Sequence, residues 1–251
     1  MIYIAKTQPK QSLIDWINQQ RTSGNYHPDY DSLQTRNSNS VSFVPYNELR
    51  KQLCEEQKGL CCYCMQRITK DNSNIEHFLP QSIFKENEVD YYNLYLACRH
   101  SHGRSRERQY CDIAKGDALI SKYIGYFNPI KGEKCQDFFQ YTDDGYILPN
   151  KTGFKTITKF YKEYESLTAQ EKELLGTIAV LNLNCKSLVD AREGFINKEP
   201  AIKNTIEGIN DITTLQKMLN FYETSETKFS GIGIYFIKKR IDVLQNQSTR
   251  R

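Results

Sequence analysis

The segment that decides the fold runs from residue 61 to residue 116. In chain order it contains Cys61-Cys62-Tyr63-Cys64, Ile75-Glu76-His77, Asn93, Cys98 and Cys111-Asp112-Ile113-Ala114-Lys115-Gly116. Four thiols can surround one Zn²⁺ tetrahedrally, and a gap of two residues lets both sulfurs of a pair face one ion from a tight turn. The segment therefore predicts a structural zinc bound by Cys61, Cys64, Cys98 and Cys111.

The fourth zinc ligand has alternatives in the sequence. A regularly spaced second pair would place a thiol at position 101, where Ser101 stands. His100 and His102 offer ring nitrogens there, and Cys111 follows only after a basic insertion. We favour Cys111 because the polar run after it can begin a helix that packs on the zinc, and either histidine stays open as a replacement. The remaining thiols lack a partner at ligand spacing and are expected in the core: Cys54, Cys62, Cys135 and Cys185.

Between the thiols lie groups that zinc does not need. Glu76 places a carboxylate beside the imidazole of His77, and the amide of Asn93 can orient backbone or imidazole through hydrogen bonds. With a divalent ion held by Glu76 and one more carboxylate, His77 can take a proton from water that attacks a phosphodiester. A lone histidine is more often structural, but Pro80 favours a strand that delivers His77 to a cleft and then turns away.

The insertion between the last two thiols is strongly basic. Its arginines are Arg99, Arg104, Arg106 and Arg108. Arginine binds phosphate with two parallel hydrogen bonds, so we expect this loop to bind nucleic acid. A solvated loop is the alternative interpretation.

Composition sets the broad class. The 251 residues can bury a core without disulfides, and 39% hydrophobic with 25% charged residues indicate a globular chain. The net charge of +4 permits a nucleic-acid partner without requiring one. The N-terminal residues lack a basic region followed by an apolar run, which predicts a cytoplasmic protein with reduced thiols. No uncharged apolar stretch approaches the roughly 20 residues that span a bilayer.

Periodicity outlines the remaining elements. The pattern predicts a helix over residues 12–20 capped by Ser12, irregular structure over 22–42, and a helix over 47–58 stopped by Gly59. An Asp-Gly turn within residues 137–148 predicts a β-hairpin. Further helices are expected over residues 156–183, 187–197, 201–218 and 234–245, with a joint at 129–132.

Three of these motifs together resemble a known family. Ile75-Glu76-His77-Phe78-x-Pro80, Tyr92-Asn93-Leu94-x-x-x-Cys98 and Cys111-Asp112-x-x-Lys115-Gly116, behind Cys61-x-x-Cys64, resemble the HNH endonucleases with a ββα-metal core. More narrowly, they resemble the PtuB family, the HNH subunits of Septu anti-phage systems, which also accompany some retrons. The likeness extends through most of the chain after Gln52.

The resemblance implies an α+β fold. A zinc-stapled ββα-metal (HNH) core would lie between N-terminal helices and a mostly helical C-terminal region. The corresponding segments are residues 1–45, residues 46–130 for the nuclease core, and residues 131–251 for the hairpin and helices, which we expect to bind a partner.

The resemblance also implies roles for single residues. His77 occupies the position of the general base, Asn93 that of the middle motif residue, and Glu76 that of a metal-binding acid. Lys115 would suit a phosphate contact near the transition state. These four residues are the predicted catalytic set.

The last motif position departs from the family pattern. Asp112 stands where a histidine or asparagine is expected, although a carboxylate can bind Mg²⁺ or Mn²⁺. Asp117 or a residue of the basic loop can take its place as the second ligand beside Glu76. The predicted cofactors are therefore a structural Zn²⁺ and a catalytic Mg²⁺ or Mn²⁺.

Partners follow from the resemblance. It implies a PtuA-like ATPase that controls the nuclease, a DNA or RNA substrate, and a retron reverse transcriptase with its RNA–DNA product in some systems, with no membrane partner. The alternative function is a non-catalytic, zinc-stabilised module that binds nucleic acid or serves as an adaptor. A small toxin-like nuclease that acts alone is a third hypothesis.

Overall fold

The computed structural model describes residues 1–24, 28–38, 44–122, 134–150, 162 and 164–248. Within these ranges, helices from both ends of the chain surround two small antiparallel sheets. The expected joint at residues 129–132 and residues 156–161 of the helix expected over 156–183 lie outside the described residues. In the described part the prediction of one helix over 156–183 is wrong, because a short 3-10 helix (Tyr164–Ser166) precedes a separate α-helix that Thr168 caps and that begins at Ala169. The chain is a helix-rich α+β protein.

Three helices precede the first sheet: α1 (Gln11–Thr22), α2 (Tyr30–Ser38) and α3 (Val44–Glu56). On α1, Leu13 and Trp16 are buried at helical spacing. The predicted cap at Ser12 is wrong, because Lys10 is the N-cap residue of α1. The Ser12 hydroxyl instead donates to the Glu48 carboxylate at 2.5 Å and so ties α1 to α3.

The prediction of irregular structure over residues 22–42 is wrong where α2 forms. Its composition is polar, and its apolar side chains are few. Leu33 is nevertheless fully buried and Tyr30 is 7% exposed. Tertiary packing against α3 therefore stabilises a helix that the local sequence does not predict.

The first sheet pairs β1 (Ser73–His77) with β2 (Leu94–Cys98) in antiparallel register. Ser73 lies opposite Cys98, and His77 lies opposite Leu94. A short helix, α4 (Asp112–Lys115), follows, as expected for the polar run after Cys111. Two strands and one short helix thus carry five of the predicted site residues: Glu76, His77, Cys98, Asp112 and Lys115.

The predicted β-hairpin is confirmed: β3 (Phe139–Tyr141) pairs with β4 (Ile147–Pro149). Gly145 in the turn has a φ of +86°, and a Cβ there would lie 2.4 Å from the carbonyl oxygen of Val189. Arg192, 2% exposed, donates to the Gly145 and Leu183 carbonyls at 2.5 and 2.7 Å. The turn is therefore locked against the helix that contains Arg192.

The C-terminal half is mostly helical, as predicted, and comprises α5 (Ala169–Val180), α6 (Lys186–Lys198), α7 (Pro200–Glu207), α8 (Ile212–Thr224) and α9 (Ser230–Ser248). The prediction of one helix over residues 201–218 is wrong. Gly208 ends α7 with a φ of +110°, and the Asp211 side chain caps α8 by accepting from the amides of Thr213 and Thr214.

One hydrophobic core connects these parts. It runs from Leu13 in α1 through Leu96 in β2 to Ile237 in α9, all of them at most 1% exposed. Helix α9 packs against α7, α8 and β3. Across the part of the chain that the structure describes, no helix has both the length and the apolar character to cross a bilayer.

Candidate active site and metal centre

Four buried cysteines converge at one end of the first sheet. Cys61 and Cys64 lie in the turn after α3, Cys98 ends β2, and Cys111 immediately precedes α4. The four Sγ atoms lie within 4.8 Å of one another. The separations are 3.7 Å for Cys61–Cys111, 3.6 Å for Cys64–Cys98 and 3.8 Å for Cys98–Cys111. Sulfurs at the corners of a tetrahedron with Zn–S bonds of about 2.3 Å lie about 3.8 Å apart, so this cluster can hold a structural zinc.

The structure also decides between the alternative fourth ligands. His100 is exposed, and its Nδ1 lies 2.9 Å from the Gln66 side-chain oxygen. The Nε2 atom of His102 lies beside Asp112, away from the thiols. Cys111 therefore completes the cluster. The four remaining cysteines are buried or partly buried and pack in or against the core, as expected: Cys54, Cys62, Cys135 and Cys185.

Asn93 holds the loop between the two strands. Its side chain is fully buried. The carbonyl oxygen accepts from the Leu79 amide at 2.7 Å, and the amide nitrogen donates to the carbonyls of Leu79 and Asn87 at 3.1 and 3.0 Å. All three contacts go to backbone. The residue therefore fixes the path of the chain just after His77.

His77 ends β1 with its ring in a defined orientation. Nε2 lies 2.9 Å from the carbonyl oxygen of Glu88, which can only accept, so Nε2 carries the hydrogen and Nδ1 the lone pair of the neutral ring. The Tyr30 ring packs edge-on against it at 4.7 Å between centroids. Burial lowers the pKa of His77 below its ordinary value of 6.5; the Glu88 carbonyl opposes this shift, and the Lys115 ammonium adds to it. The imidazole is therefore neutral at pH 7.

Glu76 lies on the opposite face of β1 and is buried. Its Oε1 accepts from the Lys115 ammonium at 2.6 Å and from the Tyr63 hydroxyl at 2.8 Å. Lys115, 4% exposed, also donates to the His77 carbonyl at 2.7 Å. Burial raises the pKa of the Glu76 carboxyl, while Lys115 and Tyr63 oppose that shift. The structure thus brings the predicted acid and the predicted phosphate contact together as one buried ion pair.

Asp112, the first residue of α4, has one satisfied and one unsatisfied oxygen. Oδ2 accepts from the Asn74 side-chain amide at 2.9 Å. Oδ1 is buried, has no hydrogen-bond partner, and lies 3.5 Å from Nε2 of His102. A buried carboxylate oxygen without a donor suits a cation, so the donor set here fits a divalent metal ion. Asp117, the alternative ligand, is exposed.

Two residues of this group were not identified from the sequence. Asn74 lies two positions before Glu76 on β1, and the alternation of a strand places both side chains on the face toward α4. Tyr63 reaches the Glu76 carboxylate from the turn between the first two thiols. The strand alternation was a usable signal for Asn74, whereas no local pattern indicated Tyr63.

The predicted nucleic-acid-binding arginines are all exposed: Arg99, Arg104, Arg106 and Arg108. Their loop is nevertheless anchored. The Ser101 hydroxyl donates to the Tyr110 carbonyl at 3.1 Å, and the Asn182 side-chain amide donates to the Glu107 and Gln109 carbonyls at 3.1 and 2.7 Å. The loop thus presents guanidinium groups to solvent from a fixed backbone.

A polar cleft of about 530 Å³ adjoins Asp112. Its lining includes Tyr30 and Gln34 of α2, Arg50 of α3, Asn74 of β1, and Arg99. The N-terminal helices therefore form one wall of the cleft, and the start of the basic loop contributes to another. The cleft carries cations beside an acidic group, as a site for a phosphate and a metal ion requires.

The chain has sequence similarity to a known protein. No protein-family model matches the chain. The chain is 26% identical over 177 residues to the Septu protein PtuB of Bacillus thuringiensis. The aligned part covers 68% of this chain and 62% of the relative, which is less than two thirds of the relative's length. The similarity supports a relationship with PtuB-like proteins.

Proposed function

We propose that this chain is an HNH-type endonuclease subunit that hydrolyses phosphodiester bonds in DNA or RNA as part of an anti-phage defence system. The observation that carries the proposal is His77, whose neutral ring is held by the Glu88 carbonyl at the end of β1. The similarity to the Septu protein PtuB supports the assignment to defence. In this proposal, β1, β2 and α4 form the ββα-metal core.

His77 acts as the general base. Its Nδ1 lone pair accepts a proton from water, and the resulting hydroxide oxygen attacks the phosphorus while the 3′ oxygen leaves. Asn93 acts indirectly by fixing the loop that carries Glu88 and hence the His77 ring. A divalent ion, when bound, stabilises charge on the leaving oxygen. Asp112 is the carboxylate that would hold it, and the family resemblance names Glu76 as the second ligand.

The basic loop binds the nucleic-acid backbone. Its exposed arginines lie on an anchored loop, and Arg99 also lines the cleft beside Asp112. Lys115 adds positive charge next to His77 from its buried pair with Glu76. Contacts of this type position the strand without reading its sequence.

The proposed partner is a PtuA-like ATPase that controls cleavage, and the proposed surface for it lies in the C-terminal segment, residues 131–251. In retron-linked systems, the reverse transcriptase and its RNA–DNA product would join the assembly. The structural zinc holds the strands and α4 together and leaves hydrolysis to the other residues.

The test compares His77→Ala with His100→Ala, a matched histidine substitution at an exposed position. Each purified protein is incubated with labelled DNA and RNA in Mg²⁺ or Mn²⁺, with and without the ATPase, and with EDTA. We expect His77→Ala to lose at least about 100-fold in cleavage rate while retaining zinc, and His100→Ala to stay active. Undiminished cleavage by His77→Ala would reject the base assignment.

The same assay separates the rival functions. Binding to nucleic acid without any cleavage under all conditions would favour the non-catalytic module. Full cleavage by the chain alone, with no complex on size exclusion with the ATPase, would favour a nuclease that acts without a partner.

A further inference from the structure

Three polar side chains line the polar cleft without a hydrogen bond to any residue that the structure describes. Gln34 extends from α2, Asn47 extends from α3, and Arg99 directly follows β2. An amide side chain carries two donors and one acceptor, and a guanidinium carries five donors. On an open surface such groups bind water, but here they share one concave site, which is how small-ligand sites are built. The cleft therefore offers polar groups that a ligand can satisfy.

Arg50 of α3 is held in the same cleft by the protein itself. Its Nη2 donates to the backbone carbonyls of Lys70 and Ser73, the latter at 2.8 Å. Its Nη1 lies 3.4 Å from the Tyr46 hydroxyl. These contacts leave Nε and one hydrogen of Nη1 without an acceptor among the described residues. A guanidinium that is already positioned loses little freedom on binding phosphate, so Arg50 and the exposed Arg99 together suit an anionic group.

The carboxylates in the lining lie away from the two N-terminal helices. Asp71 precedes β1 and is paired with Lys70 at 3.1 Å. Asp112 begins α4 and accepts from the Asn74 amide at 2.9 Å. The described residues that α2 and α3 contribute to the lining are all neutral or basic. The helical wall of the cleft therefore favours a phosphate and does not repel it.

The cleft reaches the proposed catalytic histidine. Tyr30 lines the cleft and also packs edge-on against the His77 ring, with 4.7 Å between centroids. Ile75, another lining residue, lies two positions before His77 on β1, which corresponds to about 6.6 Å of strand. Stacked nucleotides follow one another at about 3.4 Å along a strand. A nucleotide in the cleft would therefore lie about two positions from a phosphate at His77.

The dimensions of the cleft fit one nucleotide and exclude a duplex. Its volume of about 530 Å³ lies within the range of about 300–1,000 Å³ that is typical of small-ligand sites. Asparagine and glutamine amides bind base edges on which a donor lies next to an acceptor. In a duplex the pairing edges face each other, so side chains inside a cleft reach them only when the base is unpaired.

We propose that the cleft binds one unpaired nucleotide of the substrate strand. Arg50 and Arg99 bind its phosphate, and the amides of Gln34 and Asn47 bind its base. The N-terminal helices then select the base near the cut, whereas the rest of the basic loop contacts the backbone without reading sequence. The position of this nucleotide beside the scissile bond rests on the proposed function. Binding of the nucleotide does not, because it depends only on the lining of the cleft.

The experiment measures binding of the full chain to short labelled single strands by fluorescence anisotropy, without added divalent ions so that no strand is cut. The strands contain only adenine, only cytosine, or only thymine nucleotides, with uracil replacing thymine in RNA. We expect the Kd to differ at least about fivefold between the best and the worst base. The double variant Gln34→Ala/Asn47→Ala should reduce this difference to less than about twofold.

Three comparisons separate base recognition from general binding. The matched control Gln19→Ala/Asn220→Ala changes the same residue types at exposed positions of α1 and α8 and should keep the full difference. Arg99→Ala should raise the Kd for every strand by a similar factor, at least about threefold, and leave the difference between bases unchanged. A duplex of the same length should bind equally well to the double variant and to the unchanged protein.

Three outcomes would overturn the inference: no difference between bases in the unchanged protein, an undiminished difference in the double variant, or an equal loss in the control. Zinc content and circular dichroism identify a variant that fails to fold, and Gln34→Ala alone, at an exposed position, then replaces the double variant.

Cleavage assays keep this result separate from the proposed function. If the strands bind with base discrimination that depends on Gln34 and Asn47 but are never cut, the nucleotide site stands and the nuclease proposal fails. If the chain cuts nucleic acid and the double variant keeps the same discrimination, the nuclease proposal stands and this nucleotide site is wrong.

Discussion

Asn93→Ala tests whether one side chain holds the loop that orients His77. The Asn93 amide makes three hydrogen bonds to backbone groups of Leu79 and Asn87, at 2.7, 3.1 and 3.0 Å. The loop that they fix also carries Glu88, whose carbonyl accepts from the His77 ring. Truncation to alanine removes all three bonds at a fully buried position.

The expected loss follows from those contacts. Each buried backbone group left without a partner costs about 1–3 kcal/mol, so three of them predict a decrease of about 3–9 kcal/mol in the free energy of unfolding. Small domains have about 5–15 kcal/mol in total, so the effect is large. Asn72→Ala is the matched control: Asn72 is exposed and accepts one hydrogen bond, from the Thr69 amide at 2.7 Å. We expect it to cost less than about 1 kcal/mol.

Urea denaturation with zinc present measures both variants. Hydrogen exchange adds a local readout, because residues 78–88 should lose protection in Asn93→Ala even under native conditions. Asn93→Asp provides a second test, since it keeps an acceptor for the Leu79 amide but places a carboxylate against two carbonyls. A loss in Asn93→Ala no larger than in Asn72→Ala, with unchanged exchange in the loop, would refute the role assigned to Asn93.

Three further predictions concern the ion pair, the thiols and pH. Lys115→Met leaves the Glu76 carboxylate buried without its cation and should lower the free energy of unfolding, measured in urea, by about 3–5 kcal/mol. Lys186→Met, which removes one side of an exposed ion pair, should lower it by less than about 1 kcal/mol. Equal losses in the two variants would contradict the buried pairing. Cys64→Ser should lose zinc in metal analysis and unfold at lower temperature, and zinc retained at full occupancy would exclude the cluster as its site. Burial holds the folded-state pKa of His77 below 6.5. The stability and the cleavage rate that depend on the neutral ring are therefore complete above pH 6.5, and both decline as the pH falls through the folded-state pKa. A cleavage rate that already falls while the pH is lowered toward 7 would contradict this expectation.

The local sequence was sufficient where neighbours in the chain decide the structure. The hairpin between β3 and β4 follows from the Asp-Gly turn, since such turns match the twist of paired strands. The short helix after Cys111 follows from the polar run that begins it. The prediction of one helix over residues 201–218 failed because Gly208 and the Asp211 cap override the apolar periodicity on either side of them.

For the thiols of the site, too, local spacing identifies one part and tertiary structure decides the rest. The spacing of Cys61 and Cys64 identified one pair locally, but the choice of Cys111 over His100 or His102 depends on where the basic insertion returns the chain. In the structure, the insertion places both histidines outside the thiol cluster, and it returns the chain so that the Cys111 sulfur lies 3.7 Å from that of Cys61. The length of an insertion does not predict which of its atoms will face a metal.

The sequence by itself determined the residue types of the site: thiols in ligand spacing, an acid beside a histidine, an asparagine between the strands and an arginine-rich loop. Only the tertiary structure decided their partners. Lys115 meets Glu76 across 39 residues of chain, and Asp112 meets Asn74 across 38. The physical reason is that a buried charge takes the nearest compensating group in space. The partner of a carboxylate is therefore fixed by how α4 packs on β1, which no local spacing encodes.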